Sequence, residues 1–154
     1  MIRFHHLDFE IEKSFFREYF WKNYTKGKWH EFDPPKMMWW KLFNISDITR
    51  DIEYELNIHD LNIFPRFSYQ FPNTNLPYHV DEDQMCSINL NLLDTTPAIS
   101  IDGKEYEYES CFVDVGSLMH GVKPDPNERL ILKFAIRNSW EEVYERLDKF
   151  NLIL

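Results

Sequence analysis

Cysteine and glycine are scarce in this chain, and their scarcity limits the classes of protein it can belong to. Among 154 residues there are two cysteines and four glycines. Cys86 and Cys111 stand inside strand-like runs, so they are expected to be free buried thiols rather than a disulfide framework. The sequence also has no Gly-x-Ser-x-Gly elbow, no phosphate-binding glycine loop and no Cys-x-x-Cys pattern. Nothing therefore favours nucleophilic catalysis, a nucleotide-binding loop or a zinc ribbon.

The chain is also short of long apolar runs and of basic charge. The opening stretch MIRFHHLDFEIEK is interrupted by charge every few residues, and no apolar run reaches membrane length. We therefore expect a cytoplasmic protein without a signal peptide or a membrane partner. Seventeen basic residues against 26 acidic ones give a net charge of −9. That charge disfavours nucleic acid as a partner, although a local basic channel can overcome the repulsion.

Aromatic residues are abundant, with five Trp, eight Tyr and thirteen Phe. Such side chains suit a β-rich barrel with a lined cavity better than a helical bundle. A length of 154 residues fits one domain spanning residues 1–154. The sequence does not indicate an oligomeric state.

The first sixty residues predict mostly helical support for a sheet that follows. Apolar residues recur at spacings of three and four between residues 10 and 24, which is helical periodicity. A second stripe of this kind runs from Ser46 or Asp47 to about residue 56. Between them, residues 28–35 end in a Pro-Pro pair and are expected to be a loop. Both helices are expected to pack on the outside of a barrel.

Residues 61–137 predict the β core. Segments 64–71, 87–93 and 129–137 alternate side chains with a period of two, and 111–115 reads as a further strand. The Asp102-Gly103 pair is a strong hairpin signal. A capping box, Ser139-x-x-Glu142, predicts a final helix over residues 139–150.

Three residues have the spacing of a metal site. His79 and Asp81 lie two positions apart at the end of an apparent strand, so their side chains point the same way. His120 follows a turn at Gly116 and supplies a third ligand. Two imidazoles and one carboxylate on one face of an octahedron leave three positions open, which suits non-haem Fe(II).

These motifs resemble the Fe(II)- and 2-oxoglutarate-dependent oxygenases. That family carries a His-x-Asp…His triad on a double-stranded β-helix, a jelly-roll or cupin-like barrel, and a basic residue follows the second histidine. Nine residues separate His120 from Arg129, a spacing similar to that of the prolyl-hydroxylase-like branch. The run CFVDVGSLMHGVKPDPNERLILKFAI also resembles the aspartyl/asparaginyl hydroxylase branch. The resemblance implies a mainly β fold with flanking helices.

The resemblance also implies an activity. His79, Asp81 and His120 would hold Fe(II), and the enzyme would use O₂ and 2-oxoglutarate to hydroxylate a C–H bond, with succinate and CO₂ as co-products. Arg129 is the expected anchor for the far carboxylate of 2-oxoglutarate, with help from Asn89. Two basic residues on the same strand face, Lys133 and Arg137, are rival anchors. The substrate would be a small molecule or an amino-acid side chain, free or in a polypeptide.

Four further residues are candidates for substrate binding. Tyr69 is a candidate if the aromatic face of segment 64–71 looks inward, and Gln70 if the polar face does. Asn91 shares the face of Asn89, and His30, next to Trp29, is a candidate at the cavity mouth. The alternative function is a non-catalytic jelly-roll module that binds a metal or a small ligand. A cupin-type isomerase or dioxygenase fits less well because it usually recruits three or more histidines.

Overall fold

Two antiparallel sheets face each other in the structure, a computed structural model that describes residues 2–32 and 37–154, and side chains outside 29–39. Their strands, in chain order, are β1 (Phe4–His6), β2 (Lys28–Phe32), β3 (Met37–Leu42), β4 (Ile63–Gln70), β5 (Leu76–His79), β6 (Cys86–Asn91), β7 (Ala98–Ile101), β8 (Lys104–Glu107), β9 (Ser110–Val113), β10 (His120–Val122) and β11 (Arg129–Ile136). The large sheet has the order β1-β9-β6-β11-β4-β3-β2 and the small sheet β5-β10-β7-β8. This is the expected jelly-roll, or double-stranded β-helix, with a few helices.

Among the described residues, three α-helices flank the large sheet. They are α1 (Lys13–Lys22), which a short 3-10 turn (Tyr24–Lys26) follows, α2 (Ser46–Glu55) and α3 (Trp140–Lys149). Ser139 caps α3 as predicted, since its Oγ accepts a hydrogen bond from the Glu142 backbone N–H. The Glu142 carboxylate instead accepts a hydrogen bond from the Asn138 amide. No helix in the described ranges is long and apolar enough to cross a membrane.

One part of the expectation for residues 1–60 is wrong. Residues 28–32, expected to be a loop, form strand β2, which pairs with β3 and extends the large sheet through β4. Local pattern missed this strand because its partner, not its own periodicity, defines it. The described part of residues 1–60 therefore contributes three strands as well as two α-helices.

Strand β11 shows how the sheet separates two environments. Its residues Leu130, Leu132 and Phe134 pack into an apolar core with buried side chains of all three helices, which confirms that the helices cover the outer face. The alternate residues Arg129 and Lys133 line a cavity on the inner face, between the two sheets. The period-two alternation of the sequence therefore predicts both faces correctly.

Candidate metal centre

The two histidines meet across the small sheet. His79 ends β5 and His120 begins β10, and the two are directly paired in the antiparallel register. Their ring centroids lie 4.4 Å apart. Gly121 permits this approach, because a Cβ at that position would lie 2.5 Å from the Leu76 carbonyl oxygen. The absence of a Cβ at Gly121 therefore lets β10 approach β5 and helps to bring the two rings together.

Asp81 completes the cluster from the loop after β5. Its Oδ1 is 3.1 Å from His79 Nε2, and its Oδ2 is 3.6 Å from His120 Nε2. One ligand atom from each residue can be chosen so that all three lie within 4.8 Å of one another. The structure thus brings together the three residues that the sequence selects as metal ligands.

Backbone carbonyls fix the orientation of both imidazoles. His79 Nδ1 lies 2.8 Å from the Pro77 carbonyl oxygen, and His120 Nδ1 lies 2.8 Å from the Leu118 carbonyl oxygen. Because a carbonyl only accepts, each Nδ1 carries the proton and donates it. In the neutral ring this leaves the lone pair on Nε2, directed at Asp81. With both rings neutral, two lone pairs and a carboxylate then face one another, and a bound metal ion or a proton on Nε2 is needed to stabilise them.

Without a metal, the electrostatics of the centre favour a proton on His79 and a charged Asp81. The hydrogen bond with Asp81 raises the pKa of His79 above its ordinary value, against the opposing effect of burial. Burial alone would raise the pKa of Asp81, but hydrogen bonds with His120 and His79 and the charge of Lys133 hold it well below its ordinary value. The carboxylate is therefore ionised and ready to bind a cation.

The donor set fits a divalent transition metal. Bonds of about 2 Å to neighbouring positions of an octahedron put two ligand atoms about 3 Å apart. The separation of 3.1 Å between Asp81 Oδ1 and His79 Nε2 is close to that value, and one ligand atom from each of the three residues lies within 4.8 Å of the others. Imidazole nitrogen with carboxylate oxygen in this 2:1 ratio is typical of non-haem iron sites with open positions.

A residue that the sequence reading does not single out holds Asp81 in place. The Gln84 amide donates a hydrogen bond of 3.0 Å to Asp81 Oδ2, and the Asp81 backbone N–H donates one to the Val115 carbonyl. Gly116 packs beneath this loop, since a Cβ there would lie 2.8 Å from the Met85 carbonyl oxygen. The sequence indicates the Gly116 turn, but no local signal marks Gln84 as a partner of Asp81.

A cavity of about 100 Å³ opens beside the three ligands. Both sheets contribute apolar lining, which includes Leu76, Ile99 and Ile131. Asn89, Arg129 and Lys133, the residues assigned to 2-oxoglutarate from the sequence, all line the same cavity. Its remaining polar lining includes Lys41, Arg66, Ser68, Asp83, Gln84 and Tyr108.

Arg129 lines the cavity and is buried, with a tyrosine beside it. One guanidinium nitrogen donates a hydrogen bond of 2.8 Å to the Ala98 carbonyl, and another donates one of 3.1 Å to the Tyr108 hydroxyl. The third nitrogen, Nε, has no partner among the described residues. Burial raises the pKa of Tyr108 to about 12, although the Arg129 charge and Asn89 oppose the shift. Tyr108 therefore stays neutral and can donate its own proton. The sequence reading missed it, because its place after the β7–β8 hairpin carries no local signal.

The two rival anchors lie elsewhere. Lys133 Nζ is 3.9 Å from Asp81 Oδ2, so this lysine lies against the metal ligands and not beside Arg129. Arg137 is exposed, lies over the Phe64 ring and donates a hydrogen bond to the Asp83 carbonyl. Arg137 is not among the residues that line the cavity.

Strand β4 turns its polar face inward. Arg66 and Ser68 line the cavity, whereas Tyr69 packs in the helix-side core and donates a 2.5 Å hydrogen bond to Glu128. The alternative prediction that Tyr69 contacts the substrate is therefore wrong. Gln70 lies on the polar face but is not among the lining residues, and its buried amide has no partner in the described part of the chain.

The other two candidates for substrate binding do not reach the cavity in the described structure. The Asn91 amide donates to the carbonyls of Leu93 and Thr95 and so closes the turn after β6, which corrects its assignment as a cavity residue. His30 belongs to β2, but its side chain lies outside the described part of the structure. Its predicted place at the cavity mouth stays a prediction.

The fold and the cluster together define the class of structure. The described residues form a double-stranded β-helix whose inner face presents two histidines and an aspartate, and solved structures share its fold. A Pseudomonas putida prolyl-4-hydroxylase matches with a TM-score of 0.63 at 16% identity, over 82% of this chain and 85% of that one. HygX from Streptomyces hygroscopicus, solved with nickel and 2-oxoglutarate bound, matches with a TM-score of 0.55 at 10% identity, over 84% and 79%.

The likeness extends beyond oxygenases. A predicted oxalate decarboxylase from Thermotoga maritima matches with a TM-score of 0.50 at 13% identity, over 73% of this chain and 93% of that one. Comparison of the sequence with protein-family models finds no match, and comparison with curated proteins finds none either. At these identities the likeness establishes the fold, which agrees with the resemblance seen in the sequence. The chemistry has to be argued from the site.

Proposed function

We propose that this protein is an Fe(II)- and 2-oxoglutarate-dependent dioxygenase that hydroxylates a C–H bond of a small molecule or an amino-acid side chain. Fe(II), 2-oxoglutarate and O₂ would supply the oxidising chemistry, in which a substrate C–H becomes C–OH while 2-oxoglutarate becomes succinate and CO₂. The protein's part is to hold the metal, orient both organic ligands and exclude water. We also propose a cytoplasmic location, in keeping with its two free thiols.

The observation that carries the proposal is the matched orientation of the two imidazoles. Each ring uses Nδ1 to donate to the carbonyl two residues earlier, which directs Nε2 at the same carboxylate. Two neutral rings arranged in this way direct their lone pairs at an anion, which is unfavourable until a metal ion or a proton lies between them. In metal sites, carbonyl partners of this kind fix the tautomer and increase the basicity of the ligand.

Arg129 and Tyr108 suit the distal carboxylate of 2-oxoglutarate. Arg129 has a buried Nε without a partner among the described residues, and Tyr108 is a neutral hydroxyl that already accepts from the guanidinium. A carboxylate there would receive charge-assisted hydrogen bonds from both groups. Asn89 lines the same cavity from β6 and offers an amide to either carboxylate.

The cavity walls support the exclusion of water. Val115, Val122 and Ile131 line the cavity with Leu76 and Ile99, so apolar surface comes from both sheets. Removing water strengthens every electrostatic contact inside the site and limits side reactions. Water exclusion would matter most near Asp81, where the metal ligands meet.

An anaerobic titration tests this function without knowledge of the substrate. The apoprotein receives Fe(II) and then 2-oxoglutarate, while its visible spectrum is followed for the charge-transfer band that chelation of iron by the 2-oxo acid produces. We expect the band to appear, and to disappear with formation of succinate when O₂ is admitted. Iron binding without a band would favour the non-catalytic metal-binding module, and no iron binding would make the cluster structural.

A further inference from the structure

Apart from Arg129, three basic side chains among the described residues line the cavity on neighbouring strands of the large sheet. Lys41 lies on β3, Arg66 on β4 and Lys133 on β11. Arg66 and Lys133 are directly paired in the register of β4 and β11, and Lys41 pairs with Ser68, two positions along β4. We call these three residues the basic row.

The basic row lacks matching negative charge. Asp83 Oδ2 is 3.9 Å from Arg66 Nη2, but the Asp83 side chain is 60% exposed. Asp81 is 3.9 Å from Lys133 Nζ, and its two oxygens also interact with two histidines and Gln84. Three cations therefore share two carboxylates, one of which is occupied and the other solvated.

Burial makes this imbalance costly. Arg66 is only 7% exposed, and its Nε has no hydrogen-bond partner among the described residues. Burial, followed by the charges of Lys133 and Arg66, lowers the pKa of Lys41 to about 8. Like charges packed together in a partly buried site destabilise the fold, and such arrangements are concentrated at functional sites. The net charge of the chain is −9, so the basic row runs against the overall charge.

The basic row is separate from the proposed cosubstrate anchor. Arg129 and Lys133 lie four residues apart on β11, which is roughly 13 Å along a strand. Arg129 is engaged with Ala98 and Tyr108, whereas Lys133 approaches Asp81. The cavity therefore has two cationic regions, Arg129 beside Tyr108 and the basic row beside Asp81.

We infer that the basic row binds the carboxylate of a small organic acid, which is the substrate of this centre. The inference rests on the proposed function and adds the chemical class of the substrate. Arg66 offers a planar fork that can hold a carboxylate bidentately, while Lys41 and Lys133 add charge from the strands on either side. Because Lys133 lies 3.9 Å from Asp81, a carboxylate bound to the basic row would lie beside the metal ligands. The reactive C–H bond would then lie within a few bonds of the bound carboxylate.

The test uses benzoate and benzamide as probes, because they match in shape and differ in charge. Protein is loaded with Mn(II) and 2-oxoglutarate, which bind without turnover, and the paramagnetic relaxation of the probe protons is measured by NMR. Zn(II)-loaded protein gives the diamagnetic reference. We expect benzoate to bind at least about tenfold more tightly than benzamide, with its ortho protons relaxing faster than its para proton. Equal binding of the two probes would overturn the inference, and this comparison needs no substitution.

A double variant connects the preference to the basic row. Lys41→Gln with Arg66→Gln should abolish the preference for benzoate and change the affinities for Mn(II) and 2-oxoglutarate by less than about twofold. Lys104→Gln with Lys123→Gln, on or next to the small sheet and outside the residues that line this cavity, is the matched control and should behave like the wild type. A large loss of 2-oxoglutarate affinity in the Lys41/Arg66 variant would assign the row to the cosubstrate and overturn the inference.

Two further outcomes are distinguishable. Tighter binding of inorganic phosphate than of benzoate, lost in the same variant, would replace the carboxylate by a phosphate group and overturn this substrate class. If Mn(II) or 2-oxoglutarate does not bind, the proposed function is wrong, whatever the result for benzoate. The preference for benzoate can then still be measured on the metal-free protein by ligand-detected NMR, so the failures of the two proposals are separate.

Discussion

His79 and His120 are paired across two antiparallel strands, and each ring donates its Nδ1 proton to a carbonyl two residues before it in the chain. The backbone of the small sheet thus determines which nitrogen of each ring faces Asp81. Such orientation by main-chain groups does not depend on any distant side chain. It makes the ligands sensitive to changes that move the strands themselves.

Replacing either histidine by alanine should lower Fe(II) affinity by more than about 100-fold, because a direct ligand is lost and outer partners alone already contribute 10- to 100-fold. Isothermal titration calorimetry under anaerobic conditions measures the affinity. His59→Ala is the matched control, since His59 stacks on Tyr54 and is not part of the cluster. Unchanged iron binding in both His79→Ala and His120→Ala would exclude the cluster as the metal site.

Gln84→Leu should weaken metal binding by about 10- to 100-fold while the protein stays folded, because Asp81 loses the amide that holds Oδ2. Gln70→Leu is a matched control. The Gln70 amide is equally buried, has no partner among the described residues and does not contact the ligands. It should leave metal affinity unchanged and should not lower stability. Similar metal affinities of the two variants would show that Gln84 does not position Asp81.

Gly121→Ala should destabilise the fold by about 1–3 kcal/mol, because a Cβ would press against the Leu76 carbonyl and separate β10 from β5. Metal affinity should fall in parallel, since His120 moves with β10. Urea unfolding and metal titration measure the two effects. Gly103→Ala introduces strain at φ +79° without any neighbour within 4 Å, so it should lower stability but leave metal affinity intact. Full metal affinity in Gly121→Ala would contradict this role for β10.

Arg129→Ala should weaken 2-oxoglutarate binding by about 10- to 150-fold and leave iron binding nearly unchanged, because a charged hydrogen-bond partner contributes about 1.5–3 kcal/mol. Tyr108→Phe should give a smaller loss of the same kind. The affinities follow from titration of the Fe(II) protein with 2-oxoglutarate. If Lys133→Ala, but not Arg129→Ala, abolishes 2-oxoglutarate binding, the anchor is Lys133 and the division of the cavity given above is wrong.

Lys41 should make stability depend on pH. Its pKa falls from 10.5 in the unfolded chain to about 8 in the fold, so between these values the unfolded state binds more protons. The free energy of unfolding of the metal-free protein should therefore rise from pH 8 to pH 10.5 relative to a Lys41→Met variant. The gain should be of the order of 1 kcal/mol, after allowance for solvent screening of this half-buried group. Lys133, Arg66, Asp83 and Asp81 surround it.

Urea unfolding of both proteins at pH 7 and pH 10 measures this difference. The comparison with Lys41→Met removes the titration of other groups that are common to both proteins. A constant difference across the range would mean that Lys41 keeps an ordinary pKa in the fold.

The sequence predicted the metal ligands because their relation is local. A spacing of two in a strand puts His79 and Asp81 on one side, and the turn before His120 is visible as Gly116. The same alternation on β11 predicted that Leu132 faces the helices and Arg129 the cavity. Period-two patterns are informative where one face is apolar and the other polar.

The other features could not be predicted because they depend on residues far apart in the sequence, or on a strand whose two faces are equally buried. Strand β4 is buried on both faces over its second half, so its pattern could not decide between Tyr69 and Gln70. Gln84 and Tyr108 act through hydrogen bonds that only the folded loops bring about. The basic row needs the order of β3, β4 and β11 in the sheet, which no local spacing contains.

That order of strands places the metal ligands and the proposed substrate-binding residues on different sheets. Both imidazoles come from the small sheet, and the carboxylate from a loop that follows one of its strands, whereas every member of the basic row comes from the large sheet. A change of substrate preference can therefore arise on one layer while the reactive centre on the other is conserved. In laboratory evolution, libraries at positions 41 and 66 would vary selectivity without changing a residue in contact with the iron ligands, whereas position 133 lies against Asp81 and would be kept.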